Sequence, residues 1–183
     1  MLGSPVWRGS PVLAFCAGLL VGGVLISAAF LVVGSVVRAP MPWWLRVALV
    51  AAWLVVMVAR ELGLLRFGLP ENRRLVPETV FRLGRHLGPF QFGVEMGTGV
   101  RTYLPTGLPY VLVAAIALLA SPVAAVVAGA GFGLGRCLMV LANLGYDAEG
   151  GWDRQWLAHH RQIKVLVTIV FVVMVTGAVL IGA

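Results

Sequence analysis

The sequence predicts an all-α protein, a polytopic transmembrane helix bundle of about five spans in which one helix is broken by glycine and proline. Of its 183 residues, 60% are hydrophobic and 11% are charged, and the mean hydropathy is +0.97. These values lie far outside the range of soluble domains. A span needs roughly 20 apolar residues, so the chain has room for about five helices and short loops. Residues 1–183 are therefore predicted to form a single transmembrane domain, with no separate soluble catalytic domain.

The first two hydrophobic segments cover residues 11–33 and 43–65. The first is longer than the apolar core of a cleavable signal, roughly 7–15 residues, so it is predicted to be a retained span. Cleavage at the small residues Ser27-Ala28-Ala29 is the alternative. The second segment begins with Trp43-Trp44, an amphipathic pair typical of a membrane interface.

Residues 66–86 interrupt the hydrophobic pattern and carry five arginines. Basic residues favour the cytoplasmic side of a membrane and its anionic lipids, so this loop is predicted to be cytoplasmic. Pro77-Glu78-Thr79 resembles a helix start, and a short helix there could lie on the inner leaflet. The arginines are Arg66, Arg73, Arg74, Arg82 and Arg85.

The third segment, residues 87–120, is long for one span and contains the run GTGVRTYLPTGLPY. Pro105 and Pro109 remove backbone donors, and the glycines permit non-helical angles, so a broken helix is predicted. Free amides at membrane depth need protein or a water-filled cavity around them, and transporters use such breaks as binding sites. Arg101 and Thr106 would then offer a charge and a hydroxyl to a small anionic or polar solute. The alternative is a proline kink near the outer interface, with Arg101 reaching outward.

The last two segments cover residues 122–143 and 165–181, with a polar stretch between them. That stretch carries Arg154, Arg161 and Lys164, so it is also predicted to be cytoplasmic. Five crossings with both basic loops inside place the N-terminus in the cytoplasm and the C-terminus outside. A re-entrant third segment is the alternative, but it would break the positive-inside pattern.

A pattern of phenylalanine and glycine recurs after 75 positions. Phe15-x-x-Gly18-x-x-x-Gly22 in the first segment matches Phe90-x-x-Gly93-x-x-x-Gly97 in the third. This favours two parallel repeats, each of two spans and a basic segment, although glycine-rich helices also share such patterns by chance. Four-residue glycine spacings, here and within the run GAGFGLGR, let helices approach closely. They could pack spans within one subunit, or form a homodimer or a hetero-complex.

Ionisable side chains inside a span cost roughly 2.5–3.5 kcal/mol each on insertion scales, so they are functional candidates. Glu95 in the third segment is predicted to be a proton or cation site, and Arg136 in the fourth to be its counter-charge. Glu95 and Arg101 are six residues apart and face different sides of a helix, so they are not expected to pair directly. The alternative role for Glu95 and Arg136 is a structural ion pair that fixes the register of two helices.

The remaining reactive residues predict no cofactor. Cys16 and Cys137 lie in apolar segments without a CxxC or metal-ligand spacing, so they are expected to be small buried hydrophobes, with a redox pair as the alternative. His86, His159 and His160 lack the spacing of metal or haem ligands. The net charge of +7 is attributed to membrane orientation, so the predicted partner is the lipid bilayer and not nucleic acid.

The run FGVEMGTGVRTYLPTGLPY, followed by FGLGR, resembles the glycine-rich, proline-broken helices of the CcdA/DsbD transmembrane thiol-disulfide and LysE-type exporter superfamily. The resemblance covers residues 92–138, about a quarter of the chain. Broken helices of the redox family carry Pro-Cys-x-x-Pro, whereas this chain has Thr106 in the cysteine position between Pro105 and Pro109. The resemblance therefore implies an alternating-access scaffold without thiol-disulfide activity at that motif.

These observations together predict a small-solute transporter or exporter that uses the broken helix and the intramembrane Glu95 and Arg136. The alternative is a non-catalytic membrane subunit or assembly factor of a larger complex. A membrane enzyme ranks third, because the sequence contains no nucleophile–base pair or metal cluster.

Overall fold

The computed structural model describes residues 9–69, 82–100, 106–145 and 151–181, and within these ranges the protein is all-α. The predicted fold class is confirmed. Four stretches are long and apolar enough to cross a membrane: Ser10–Arg38, Trp43–Glu61, Pro122–Ala142 and Leu157–Gly177. The helices of the described ranges are α1 (Ser10–Arg38), α2 (Trp43–Glu61), α3 (Leu87–Gly97), α4 (Leu108–Leu118), α5 (Pro122–Gly145) and α6 (Gly151–Ile181).

Helix α2 ends four residues before the end of the predicted segment, because Gly63 forms a terminating turn. Its φ of +81° lies in the left-handed region that glycine adopts without strain. The amide of Gly63 donates to the Arg60 carbonyl at 3.0 Å, and that of Leu64 donates to the Ala59 carbonyl at 2.9 Å. This pair of bonds is the Schellman motif, which satisfies the last carbonyls of a helix. It makes Glu61 the final residue of α2.

The third predicted segment is two helices in the structure. Helix α3 ends at Gly97, and α4 begins at Leu108 with Gly107 as its N-cap and Pro109 in its first turn. Each has 11 residues, a rise of about 16 Å, which is too short to cross a bilayer alone. A break at the glycine- and proline-rich run was therefore correctly predicted. The short helix proposed at Pro77-Glu78-Thr79 lies outside the described residues.

Helix α6 begins at Gly151, well before the predicted start at residue 165. After Gly151 the polar stretch contains neither proline nor glycine until the apolar run begins. Arginine, glutamine, leucine, alanine and lysine are all good helix formers, so nothing there ends a helix. The stretch is predicted to lie outside the membrane because it is polar. A polar sequence can still form a helix.

The chain divides into two compact units, and α1, α5 and α6 each contribute to both. The first unit consists of Met1–Ile26, Glu71–Tyr103 and Gly129–His159, and the second of Ser27–Pro70, Leu104–Ala128 and His160–Ala183.

In the first unit, α1 and α3 pack backbone to backbone through their matching glycines. A Cβ at Gly18 would lie 2.9 Å from the Cα of Gly93, and a Cβ at Gly93 would lie 3.1 Å from the Cα of Gly18. Further along, a Cβ at Gly22 would lie 3.0 Å from the Cα of Gly97. The contacts are reciprocal, because each glycine of one helix faces the glycine 75 positions away on the other. These glycines therefore act as the predicted close-packing face.

Helix α5 also packs on α1, but with only one of its glycine faces. A Cβ at Gly133 would lie 2.7 Å from the Cα of Leu20, and Gly129 contacts Gly23. A Cβ added at Gly131 or Gly135 would have no heavy atom of the described residues within 4 Å. Thus the two overlapping glycine spacings of α5 differ, since one is a helix contact and the other is open.

In the second unit, α2 packs against α4. Met57 of α2 and Val111 of α4 are fully buried. At the other end of this unit, Gly34 of α1 lies against Ala117, and the Arg38 guanidinium donates to the Ala120 carbonyl at 2.7 Å. That bond satisfies a carbonyl just past the end of α4, where intrahelical donors run out.

Candidate functional site

A buried carboxylate lies at the start of α4, where the broken helix resumes. The Glu61 side chain is only 2% exposed. Its Oε1 accepts hydrogen bonds from the Gly107 amide at 2.7 Å and from Arg60 Nη1 at 3.1 Å. Its Oε2 forms an ion pair with Lys164 Nζ at 2.5 Å. Residues of α2, α4 and α6 therefore meet at one carboxyl group.

The local sequence explains how this geometry arises. The Schellman turn at Gly63 ends α2 directly after Glu61, so this carboxylate is free to reach beyond the helix end. Gly107 lacks a side chain, and a Cβ there would lie 2.7 Å from the sulfur of Met57. A larger residue at this position would therefore require the Met57 side chain to move.

The start of α4 is a favourable place for a negative charge. The first amides of a helix have no intrahelical acceptor, and the helix dipole places a partial positive charge there. Pro109 carries no amide hydrogen, which leaves one donor fewer to satisfy. Glu61 thereby supplies, from within the protein, an acceptor for the amide at the start of α4.

The two bases around Glu61 are held differently. The Arg60 guanidinium is 24% exposed, donates through Nε to the Phe67 carbonyl at 3.2 Å, and lies 5.6 Å from the centre of the Phe67 ring. The Lys164 side chain is 35% exposed, and its ammonium contacts Glu61. Arg60 is thus fixed by several contacts, whereas Lys164 is the more accessible partner.

Sequence reasoning missed this cluster. Glu61 is an acidic residue within the predicted second span, and an ionisable residue in a span is itself a signal. Glu61 is not among the ionisable candidates named from the sequence, which are Glu95, Arg101 and Arg136. Lys164 was counted only as a loop charge, since the length of α6 was underestimated.

The predicted site residues fall at different places. Thr106 and Pro109 flank Gly107 at the start of α4 and so adjoin the Glu61 cluster. Glu95 and Arg136 belong to the first unit, and their proposed pairing stays a prediction. The Arg136 guanidinium lies 5.8 Å from the centre of the Phe132 ring. Arg101 and Pro105 lie outside the described residues.

The two cysteines, far apart in sequence, lie side by side in the first unit. Cys16 of α1 and Cys137 of α5 belong to the same buried side-chain cluster. Both are free thiols in one buried cluster with Val12, Phe15 and Leu19. Their burial agrees with the prediction of small buried hydrophobes, and their shared cluster also makes the redox pair chemically feasible.

Oxidation is expected to join Cys16 and Cys137 in a disulfide without unfolding the protein. Both thiols lie in one buried cluster, so a disulfide between them is expected to need only a local adjustment of α1 and α5. Treatment of the purified protein with diamide, followed by intact mass spectrometry, should show the loss of two hydrogen atoms. Neither Cys16→Ser nor Cys137→Ser should show it. Intermolecular dimers instead of this loss would contradict the expectation.

Two of the three histidines have hydrogen bonds in the structure. His86 shares a hydrogen bond of 2.9 Å with the Ser10 hydroxyl, and His159 Nδ1 donates to the Gln155 carbonyl at 3.1 Å. Within the described ranges, no three side chains of histidine, cysteine, aspartate or glutamate are placed to hold a metal ion.

The fold and the site define a class: a polytopic α-helical membrane protein whose broken helix restarts on a buried carboxylate. Among curated proteins, the chain is similar to the methylamine utilization protein MauF of Methylobacillus flagellatus, with 26% identity over 150 residues. The match covers 81% of this chain and 52% of MauF, so the chain spans about half the length of this relative. No family model and no solved structure matches the chain.

Proposed function

We propose that this membrane protein is a small-solute transporter or exporter, and that its solute site lies at the Glu61 cluster. One observation carries the proposal. The Glu61 carboxylate is 2% exposed, accepts a hydrogen bond from the Gly107 amide at the start of α4, and forms an ion pair with Lys164 of α6. Transporters commonly place solute and ion sites at such discontinuous helices. The proposed orientation has the N-terminus in the cytoplasm and the C-terminus outside, as the basic loops favour.

The charges in the cluster suggest how such a site would work. Glu61 joins the end of α2, the start of α4 and α6, so any change at its carboxyl group alters the contacts of all three helices. Ionisable residues inside membrane spans are costly, and many of them mark substrate or ion pathways. Glu95 and Arg136 remain proposed as a second charged position, within the first unit.

Transport should be lost in Glu61→Gln while the protein still folds. The carboxamide keeps an acceptor for the Gly107 amide but loses the charge that holds Lys164. Purified protein in liposomes would be tested for currents on a solid-supported membrane after concentration jumps of small amines, carboxylates and amino acids. Glu95→Gln, tested in parallel, shows whether the first-unit carboxylate also takes part.

Two controls make this experiment decisive. Arg161→Ala, an exposed base on α6, should leave the current unchanged, and size-exclusion profiles should match the wild type for every variant. If no class of solute gives a current above that of protein-free liposomes, the transport proposal is wrong.

A second candidate is favoured by the similarity to MauF, whose name places that protein in methylamine utilization. In this proposal the chain is an accessory or assembly subunit of a larger membrane complex. Native mass spectrometry of the protein, extracted in mild detergent from its own membranes, distinguishes the two candidates. A fixed ratio with a second polypeptide supports the subunit role, whereas the chain alone or with copies of itself contradicts it.

A further inference from the structure

The Lys164 ammonium lies where the ammonium group of a bound ligand could pair with Glu61. Its partner oxygen, Glu61 Oε2, is buried, and no other described group donates a hydrogen bond to it. The carboxylate is 2% exposed and held on Oε1 by Arg60 and the Gly107 amide, whereas the lysine is 35% exposed. If one partner leaves, it is therefore the lysine, which can extend into the more accessible surroundings.

A primary ammonium group is the ligand that such a vacancy would accept. The ammonium group would give Oε2 a counter-charge again, with the same type of donor that Lys164 supplies. Departure of Lys164 leaves Glu61 with two of its three contacts, so the carboxylate stays in place. A small alkylammonium carries one compact positive charge, which suits a single carboxylate oxygen.

An amino-acid ligand fits this site less well than a simple amine. The amide at the start of α4 already donates to Glu61, and the Arg60 guanidinium is engaged by Glu61 and by the Phe67 carbonyl. The amide has no second hydrogen to donate to the carboxylate of a solute, and the charge of Arg60 is already compensated by Glu61. Leaving a carboxylate unpaired in a desolvated site is costly.

We infer that Glu61 binds the ammonium group of a small primary amine that lacks a carboxylate, and that Lys164 competes with this ligand for Oε2. The inference names the solute class of the site and so rests on the proposed function for its role in transport. Its binding step, however, is independent of flux. Release of Lys164 would also free α6 from α2, which links occupancy of the site to helix contacts.

This inference is tested by measuring how radiolabelled methylammonium binds to the purified full chain in detergent. Binding is detected with a scintillation proximity assay. Lys164→Ala should lower the Kd by about 5- to 150-fold, the range of typical coupling free energies, since it removes the competitor. Lys164→Arg, which keeps a competing cation, should leave the Kd close to that of the wild type. Glu61→Gln should abolish binding, and Arg161→Ala, three residues from Lys164 on α6, should not change it.

Competing solutes separate the possible outcomes. Unlabelled ethylammonium should displace the label, whereas acetate should not, and lysine should displace it more weakly. Displacement by acetate, or an unchanged Kd in Lys164→Ala, would overturn the inference. If methylammonium binds but enters liposomes that contain the protein no faster than protein-free liposomes, the binding inference stands and the transport proposal is wrong. If another solute class is transported and methylammonium does not bind, transport stands and the inference is wrong.

Discussion

Replacing Glu61 by alanine is expected to destabilise the protein by about 1–3 kcal/mol, the cost of leaving buried polar partners unsatisfied. The Gly107 amide would lose its acceptor at the start of α4, and Arg60 and Lys164 would lose their counter-charge. Fully buried ion pairs cost about 3–5 kcal/mol when one partner is removed. The loss here is smaller because Arg60 and Lys164 are 24% and 35% exposed, so solvent screens both charges.

This effect is measured by heating the protein in detergent and monitoring its unfolding by size-exclusion chromatography. Glu61→Gln should be less destabilised than Glu61→Ala, because the carboxamide oxygen can still accept from the Gly107 amide. Lys164→Ala should also lower the melting temperature, because it leaves the buried Oε2 of Glu61 without its counter-charge. Equal melting temperatures for the wild type and Glu61→Ala would show that the carboxylate does not hold the broken helix.

Replacing Gly93 by alanine is expected to cost about 1–3 kcal/mol, as overpacking of a close contact does. The new methyl would lie 3.1 Å from both the Gly18 Cα and the Leu19 nitrogen, and closer still to the Phe15 carbonyl oxygen. All three are backbone atoms, which cannot rotate away as a side chain would. Helices α1 and α3 would have to separate, with the loss of their close packing.

The same measurement has a matched control on α5. Gly131→Ala and Gly135→Ala place their methyls where the structure has no described atom within 4 Å. Because alanine favours helix by up to about 1 kcal/mol over glycine, these variants should be neutral or slightly stabilised. A loss of stability in Gly131→Ala equal to that in Gly93→Ala would mean that the open face is in contact with another polypeptide.

The reciprocal contacts of α1 and α3 give a further check on the Gly93 result. Gly18→Ala places its methyl 2.9 Å from Gly93, on the other side of the same contact. The two substitutions share a single interface, so their effects should not add. The double variant is expected to lose less stability than the two single variants combined.

The sequence by itself determined the class of the protein and much of its fold. Hydropathy identified the membrane spans, because the free energy of leaving water depends on each segment's own composition. Glycine and proline located the break between α3 and α4, since backbone angles and missing donors are local properties. The repeated glycine pattern likewise identified the faces of α1 and α3 that pack together.

Only the tertiary structure decided which distant groups meet. Glu61 reaches an amide 46 residues further along the chain, and Lys164 and the two cysteines find partners at still greater separations. Such contacts depend on how helices pack in three dimensions, for which spacing along one helix gives no signal. The same holds for α5, where Gly129 and Gly133 contact α1 while Gly131 and Gly135 do not. Both faces have the same glycine spacing, and only the position of the neighbouring helix distinguishes them.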